Sequence, residues 1–157
     1  MHDDAAAPLR LSDVAELTGL VGQRLGTSAC HRVGQAQVNQ FADATGDHQW
    51  IHVDPARASA GPFGTTLVHG YLTLSLLPVL LDEVFVVGGT RLTLNYGLDR
   101  VRFPAALPVG SEVSATVDLL STEPRGSDVQ AVLRVTVSAT GADKPCCVAD
   151  PILRYVT

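Results

Sequence analysis

The chain has 157 residues, of which 46% are hydrophobic and 17% are charged, and its formal net charge is −5. This length and hydrophobic fraction are typical of one folded domain with its own core and exclude a disordered chain. The acidic balance, without a cluster of basic residues, disfavours a nucleic-acid partner. The three cysteines, Cys30, Cys146 and Cys147, are an odd number, and we expect buried free thiols rather than metal ligands or disulfides.

The N-terminal ten residues lack the basic region and apolar run of a secretion signal, and we expect residues 1–10 to be flexible. The most apolar stretch, residues 67–87, is too polar for a membrane span of about 20 apolar residues. It is interrupted at four positions, by His69, Pro78, Asp82 and Glu83. We therefore expect a cytoplasmic protein without a membrane partner.

In the first half of the chain, helical and extended segments alternate with turn residues. Residues 11–19 have apolar side chains at helical spacing, with Ser12 as the expected N-cap and Gly19 as the stop. Residues 25–33 are expected to be extended, and residues 35–46 predict an amphipathic helix. The segment 48–66 predicts a loop or broken helix, in which Asp54-Pro55 caps and starts a short helix.

The second half opens with a run from Leu67 to Val84 that is apolar nearly all round, which predicts a helix inside the fold. Pro78 lacks a backbone N–H and should kink this helix. After the Gly88-Gly89 turn, polar and apolar residues alternate in four segments, 91–103, 112–121, 128–140 and 146–156. Their short Gly- and Pro-rich connections predict an antiparallel meander. Together these elements indicate an α+β fold in which a curved sheet wraps one hydrophobic helix.

One motif suggests acid/base chemistry. FADATGDHQWIH, residues 41–52, places Asp47 five positions before His52. A carboxylate and an imidazole can share one water, because histidine titrates near neutral pH and the carboxylate accepts a hydrogen bond. The two side chains converge only if the loop folds back, which Gly46 permits. A capping or turn role is the alternative. His48 and His52 also have the spacing of metal ligands on a helix, but no third ligand is evident.

A second motif, LVHGYL, begins the apolar run. Gly70 at the start of a buried helix offers a backbone N–H that has no partner within the helix and no Cβ in front of it. Such a donor can stabilise negative charge that develops during a reaction. The neighbouring His69 could be a second donor, although a purely structural role is favoured.

FADATGDHQWIHVDPARASAGPFGTTLVHGYLTLSLLPVLL, with the later NYGLDRVRFPAALPVGSEV, resembles the MaoC-like dehydratases, the single-domain (R)-specific enoyl-CoA hydratases of the hot-dog fold. The resemblance implies one hot-dog domain over residues 1–157, with a curved antiparallel sheet around a long central helix. It implies a hydro-lyase that adds water reversibly to trans-2-enoyl-CoA to give (3R)-3-hydroxyacyl-CoA. Asp47 and His52 would hold the water, and the Gly70 amide would bind the thioester carbonyl. No metal, nicotinamide or flavin is implied, and a homodimer is expected.

Where many relatives have Asn-Pro, this chain has Gln49-Trp50, which places a large ring near the expected site. The residues expected to contact the acyl-CoA substrate are Trp50, His69, Tyr71, Asn95 and Gly97. Residues 95–97 also interrupt a strand pattern and are expected to mark a bulge near the substrate channel, for which a structural role is favoured. The candidates for the coenzyme A phosphates are Arg57, Arg100 and Arg102, although a solvated strand face explains Arg100 and Arg102 equally well. Two other functions stay open, a hot-dog acyl-CoA thioesterase and a non-catalytic acyl-thioester binding subunit of a heteromeric dehydratase.

Overall fold

A computed structural model describes residues 7–157. Its N-terminal strand β1 (Leu9–Leu11) pairs in parallel with β4 (Phe85–Val87), with Leu9 opposite Phe85. The expectation of a flexible segment 1–10 is therefore wrong for Leu9 and Arg10, and residues 1–6 lie outside the described residues. Neither strand was predicted, because three residues are too few for a period of two to be recognised.

The main sheet consists of β2 (Arg24–Thr27), β3 (His31–Arg32), β5 (Leu92–Arg102), β6 (Glu112–Arg125), β7 (Asp128–Ala139) and β8 (Cys147–Val156). The strand order is β2-β6-β7-β8-β5, β3 also pairs with β6, and all of these pairings are antiparallel. The four late strands and the curved-sheet architecture are confirmed. The meander is correct for β6, β7 and β8 but wrong for β5, which pairs with β8 at the sheet edge. Residues 103–111 therefore cross three strand spacings, about 14 Å, to reach β6.

The inner face of the sheet forms the core. Every second residue of β6 and β7 is buried over most of their length, the alternation that a sheet covered on one face requires. The fully buried side chains of these two strands are Val113, Ala115, Val117, Leu119, Ala131, Leu133, Val135 and Val137. They belong to one apolar cluster with Leu72, Leu80 and other residues of the central helix.

The central helix is divided into α5 (Gly70–Ser75) and α6 (Leu77–Val84). It begins at Gly70 rather than Leu67, because the N–H groups of Leu67 and Val68 donate to Ile51 O and Leu107 O, both at 2.8 Å. The break at Leu76 lies two residues before Pro78, in agreement with the expected kink. The helix is not apolar all round, since one side is exposed at Tyr71, Val79 and Asp82.

The opening helix α1 (Val14–Thr18) ends at Gly19 as predicted, but its N-cap is Asp13 and not Ser12. One carboxylate oxygen of Asp13 accepts from the N–H groups of Ala15 and Glu16, each at 2.9 Å. Two adjacent residues with capping side chains made the choice ambiguous in the sequence.

Three further helices lead to the site. The amphipathic helix α2 (Gln35–Thr45) ends at Gly46, which adopts a left-handed conformation with φ of 81°. The short helices α3 (Trp50–Val53) and α4 (Pro55–Ser59) follow, and the Asp54 carboxylate accepts from Arg57 N–H at 3.0 Å to cap α4. The broken-helix prediction and the Asp54-Pro55 start are confirmed.

Among the three cysteines, Cys146 and Cys147 are buried and free, as expected, whereas the expectation is wrong for Cys30, which is free and exposed. Cys30 lies in the short segment between β2 and β3, where the residue is exposed. Within residues 7–157, no helix combines the length and the apolar character needed to cross a membrane.

Candidate active site

Asp47 and His52 come together because the chain reverses at Gly46. The glycine ends α2 in the left-handed region, the exposed residues 47–49 follow, and α3 then turns the His52 side chain into the protein, where it is 9% exposed. Ligand-type atoms of Asp47, His52 and His69 all lie within 4.8 Å of one another. The structure thus brings together the predicted pair and adds His69 to it.

The orientation of His52 is fixed through its backbone and its ring. Its Nδ1 lies 2.7 Å from Leu67 O, and because a carbonyl oxygen only accepts, Nδ1 carries the proton. In the neutral ring Nε2 then keeps an unprotonated lone pair. The His52 carbonyl accepts from the Gln35 side-chain amide at 2.7 Å, and Thr66 donates to Gln35 Oε1 at 2.6 Å. Sequence reasoning missed Leu67, Gln35 and Thr66, because a contact between segments this far apart leaves no spacing signal.

His69 ties the loop to the central helix. Its ring stacks on that of His52 with centroids 3.8 Å apart and an interplanar angle of 22°. Its Nε2 donates to the backbone carbonyl of Asp47 at 3.0 Å and lies 3.9 Å from the Asp47 carboxylate. The side chain is 2% exposed, and its buried Nδ1 has no hydrogen-bond partner within residues 7–157. These contacts agree with the structural role favoured for His69.

Gly70 is the first residue of α5, directly after His69. Within the described part of the chain its N–H donates no hydrogen bond. The Phe103 ring lies against it, and a Cβ at position 70 would be 3.2 Å from three ring atoms. A cavity of about 300 Å³ next to Gly70 is lined by Thr73, Phe103 and Ala106, among others. The absence of a side chain at position 70 leaves this backbone accessible from the cavity.

The other predicted substrate contacts lie in two places. The Trp50 ring packs on Gly61, with the Arg57 guanidinium 4.5 Å above it, so it faces α4. Tyr71 is 70% exposed and meets Phe103 edge-on, with ring centroids 6.3 Å apart.

Asn95 and Gly97 are on β5 and line a cavity between that strand and the central helix. The register shift between them confirms the predicted bulge. Among the phosphate candidates, Arg57 is held on Trp50, whereas Arg100 and Arg102 are exposed on β5.

The structure does not bring His48 to His52, the two histidines that have the spacing of metal ligands on a helix. His48 is exposed and its Nε2 lies 2.9 Å from Asp43, a hydrogen bond that raises the pKa of His48, so it does not join His52. In the cluster of Asp47, His52 and His69, each imidazole uses one nitrogen on a backbone carbonyl. The three side chains lie close enough together to hold an ion, and these two hydrogen bonds compete for ring nitrogens that could bind it.

The family of this chain is shown by a match over most of its length. A profile described as "MaoC like domain" matches residues 16–141. The chain belongs to the MaoC-like dehydratase family. Its fold is the hot-dog fold of that family, with the antiparallel sheet and helices described above.

Relatives of the MaoC-like chain include dehydratases and hydratases. The 3-hydroxyacyl-thioester dehydratase Z of Mycobacterium tuberculosis is 54% identical over 144 residues, 91% of this chain and 95% of that protein. Nodulation protein N of Rhizobium meliloti is 43% identical over 145 residues, 90% of this chain and 88% of that protein. The solved (R)-hydratase of Aeromonas caviae, described as involved in PHA biosynthesis, has a TM-score of 0.70 and 27% identity, covering 87% of this chain and 96% of that one. The protein is thus a hydro-lyase in the broad sense.

Proposed function

We propose that the protein is an (R)-specific enoyl-CoA hydratase, which adds water reversibly to a trans-2-enoyl thioester. The observation that carries the proposal is the pairing of Asp47 with a His52 ring whose tautomer is fixed by Leu67 O. A carboxylate oxygen and a ring nitrogen within 4.8 Å of each other can both reach one water, because each hydrogen bond is about 2.8 Å long.

In this mechanism the water supplies both groups that the double bond gains. Its hydroxyl adds to C3, and its proton passes through the side-chain pair to C2. Negative charge grows on the thioester oxygen as the C3–O bond forms, and the Gly70 N–H stabilises it by about 3 kcal/mol. Asp47 is half-exposed, which gives water and substrate access, while His52 and His69 are buried and hold the geometry.

The main competing function is a thioesterase, in which the same pair would direct water to the thioester carbonyl. Crotonyl-CoA separates the two reactions. A hydratase removes the conjugated absorbance without releasing thiol, whereas a thioesterase releases free coenzyme A. Chiral chromatography of the product tests the (3R) configuration, and a (3S) product would contradict the assignment. A non-catalytic subunit would turn over no substrate alone.

Side-chain substitutions test the pair directly. Asp47→Asn and His52→Gln should each reduce kcat by about two orders of magnitude or more, the usual size of an acid/base contribution. His48→Gln is the matched control, since His48 is exposed and bonded to Asp43. Wild-type turnover in either pair variant, with the fold intact by circular dichroism, would exclude the mechanism.

We further propose that two copies of the chain associate through β5. This strand pairs only with β8 in the described chain, and ten of its eleven residues are exposed. They include large apolar side chains, Leu92, Leu94, Tyr96 and Leu98. An unpaired apolar edge of this length favours pairing with another strand, and a second copy supplies an identical one.

A further inference from the structure

Gln35 is the first residue of α2, and its side chain contacts two other segments of the site. Its amide nitrogen lies 2.7 Å from the carbonyl oxygen of His52 in α3. Its oxygen Oε1 lies 2.6 Å from the hydroxyl of Thr66, the residue before Leu67. One amide group therefore connects the start of α2 with α3 and with the segment that leads into the central helix.

The orientation of the Gln35 amide is defined by its partners. A carbonyl oxygen only accepts, so the group that faces His52 O is the NH2 group of Gln35 and not its oxygen. The same NH2 group donates to the Asn39 side chain at 2.9 Å, and Oε1 accepts from the Thr66 hydroxyl. Turning the amide over would place the Gln35 oxygen against the His52 oxygen, so only one orientation satisfies the partners.

These contacts act on the backbone of His52 and on the partner of its ring. The bond to the His52 carbonyl holds α3, from which the imidazole projects. Thr66 is held by Gln35, and the next residue, Leu67, accepts the Nδ1 proton of the ring at 2.7 Å. The N–H group of Leu67 donates to Ile51 O at 2.8 Å, which joins the same two segments a second time. The Gln35 amide thus helps to set the distance between the His52 ring and Leu67 O.

The burial of this network makes the Gln35 amide hard to replace by water. Thr66 is 3% exposed and His52 is 9% exposed, while Gln35 is partly buried. Without the amide, the Thr66 hydroxyl and the His52 carbonyl lose their partner in a region that water enters poorly. Groups left in this way cost free energy, and the two segments shift to find other partners.

We propose that Gln35 is a positioning residue, which holds the His52 ring in its Nδ1-protonated form so that Nε2 faces the water shared with Asp47. The inference rests on the proposed hydratase function and adds a residue that acts through His52 and not on the substrate. A displacement of the imidazole by about 1 Å can lower the rate by up to about a hundredfold. The effect falls on kcat rather than KM, because an acid or base acts in the transition state.

Gln35→Met tests this role, because methionine has nearly the same length as glutamine and lacks the amide. We expect kcat for crotonyl-CoA to fall about tenfold, with KM within about twofold of the wild-type value. Gln40→Met is the matched control, since Gln40 is an exposed glutamine of the same helix, and it should keep wild-type kinetics.

A double-mutant cycle separates action through His52 from a general loss of structure. In the His52→Gln background, Gln35→Met should lower kcat by less than about twofold, because the ring that Gln35 positions is already absent. An undiminished tenfold loss in that background overturns the inference, since Gln35 would then act on another group. Thr66→Val removes the hydroxyl and keeps a side chain of similar shape, so it should give a smaller loss that also disappears in this background.

Nitrogen-15 NMR of the imidazole gives a measurement that does not depend on turnover. At a pH where the His52 ring is neutral, the wild type should show a protonated Nδ1, and Gln35→Met should distribute the proton over both nitrogens. That result supports the inference even if no enoyl thioester is hydrated, an outcome that would refute only the proposed function. A hydratase in which Gln35→Met leaves either kcat or the His52 tautomer at its wild-type value overturns this inference alone. If Gln35→Met does not fold, the same two measurements on Thr66→Val decide.

Discussion

Replacing His69 with phenylalanine should separate the positioning of Asp47 from the stability of the fold. The phenylalanine ring has one more ring atom than imidazole, and it can keep an aromatic stack on His52. It cannot donate to the Asp47 carbonyl, which loses the 3.0 Å hydrogen bond from Nε2. It also removes a buried Nδ1 that has no partner in the described chain.

The two changes have opposite effects on stability. Losing the hydrogen bond costs about 1 kcal/mol, and little more, because Asp47 is exposed and water can replace the donor. Removing the unpaired nitrogen raises the free energy of unfolding by about 1–3 kcal/mol, because the folded state no longer buries a polar atom without a partner. Fitting the larger ring into a site that is 2% exposed costs about 1–3 kcal/mol. The free energy of unfolding should therefore be close to that of the wild type or lower by up to about 3 kcal/mol. Activity should fall about tenfold to a hundredfold, because the carboxylate is no longer held against the ring and a displacement of about 1 Å has an effect of that size.

The assay pairs urea unfolding with hydration of crotonyl-CoA by His69→Phe and His69→Gln. The glutamine amide can place a donor near the position of Nε2, so it should recover a large part of the lost kcat. Wild-type activity in His69→Phe, or an equal loss in both variants, would show that the hydrogen bond to Asp47 does not position it.

Two further predictions concern the rest of the chain. In native protein, Ellman's reagent should react with the exposed Cys30 and not with the buried Cys146 and Cys147. Burial raises the pKa of the Cys146 thiol, and it raises the pKa of the Cys147 thiol to about 12. All three thiols should react in denaturant. Leu94→Glu places a charge on the exposed edge strand, and light scattering should show conversion of a dimer to monomers with the fold retained. Reaction of three native thiols, or an unchanged mass for Leu94→Glu, would contradict these predictions.

Local patterns were sufficient for most elements of the fold. The period of two in β6, β7 and β8 and the apolar run of the central helix gave the architecture, and Gly46 gave the turn that brings Asp47 to His52. The position of β5 was not predictable in this way. Strand period does not encode a partner, and the pairing of β5 with β8 depends on the crossing of residues 103–111.

The start of the central helix shows a related limit. Leu67 and Val68 have the composition of the helix that follows, but their N–H groups bond to Ile51 and Leu107, which are distant in sequence. Because Leu67 stays outside the helix, its carbonyl oxygen is free to accept a hydrogen bond from the His52 ring. Motif spacing located Asp47 and His52, whereas the contact that fixes the imidazole tautomer depends on tertiary structure alone.

The short stretch that carries both Asp47 and His52 has a stereochemical consequence. A water held between two side chains of one loop can approach a flat enoyl group from a single side. If the pair acts as proposed, the new hydroxyl and the hydrogen added beside it enter from that same side. Hydration in heavy water should then give one syn-deuterated diastereomer. Both C2 and C3 of the product would have a defined configuration, because one loop positions the groups that add to them.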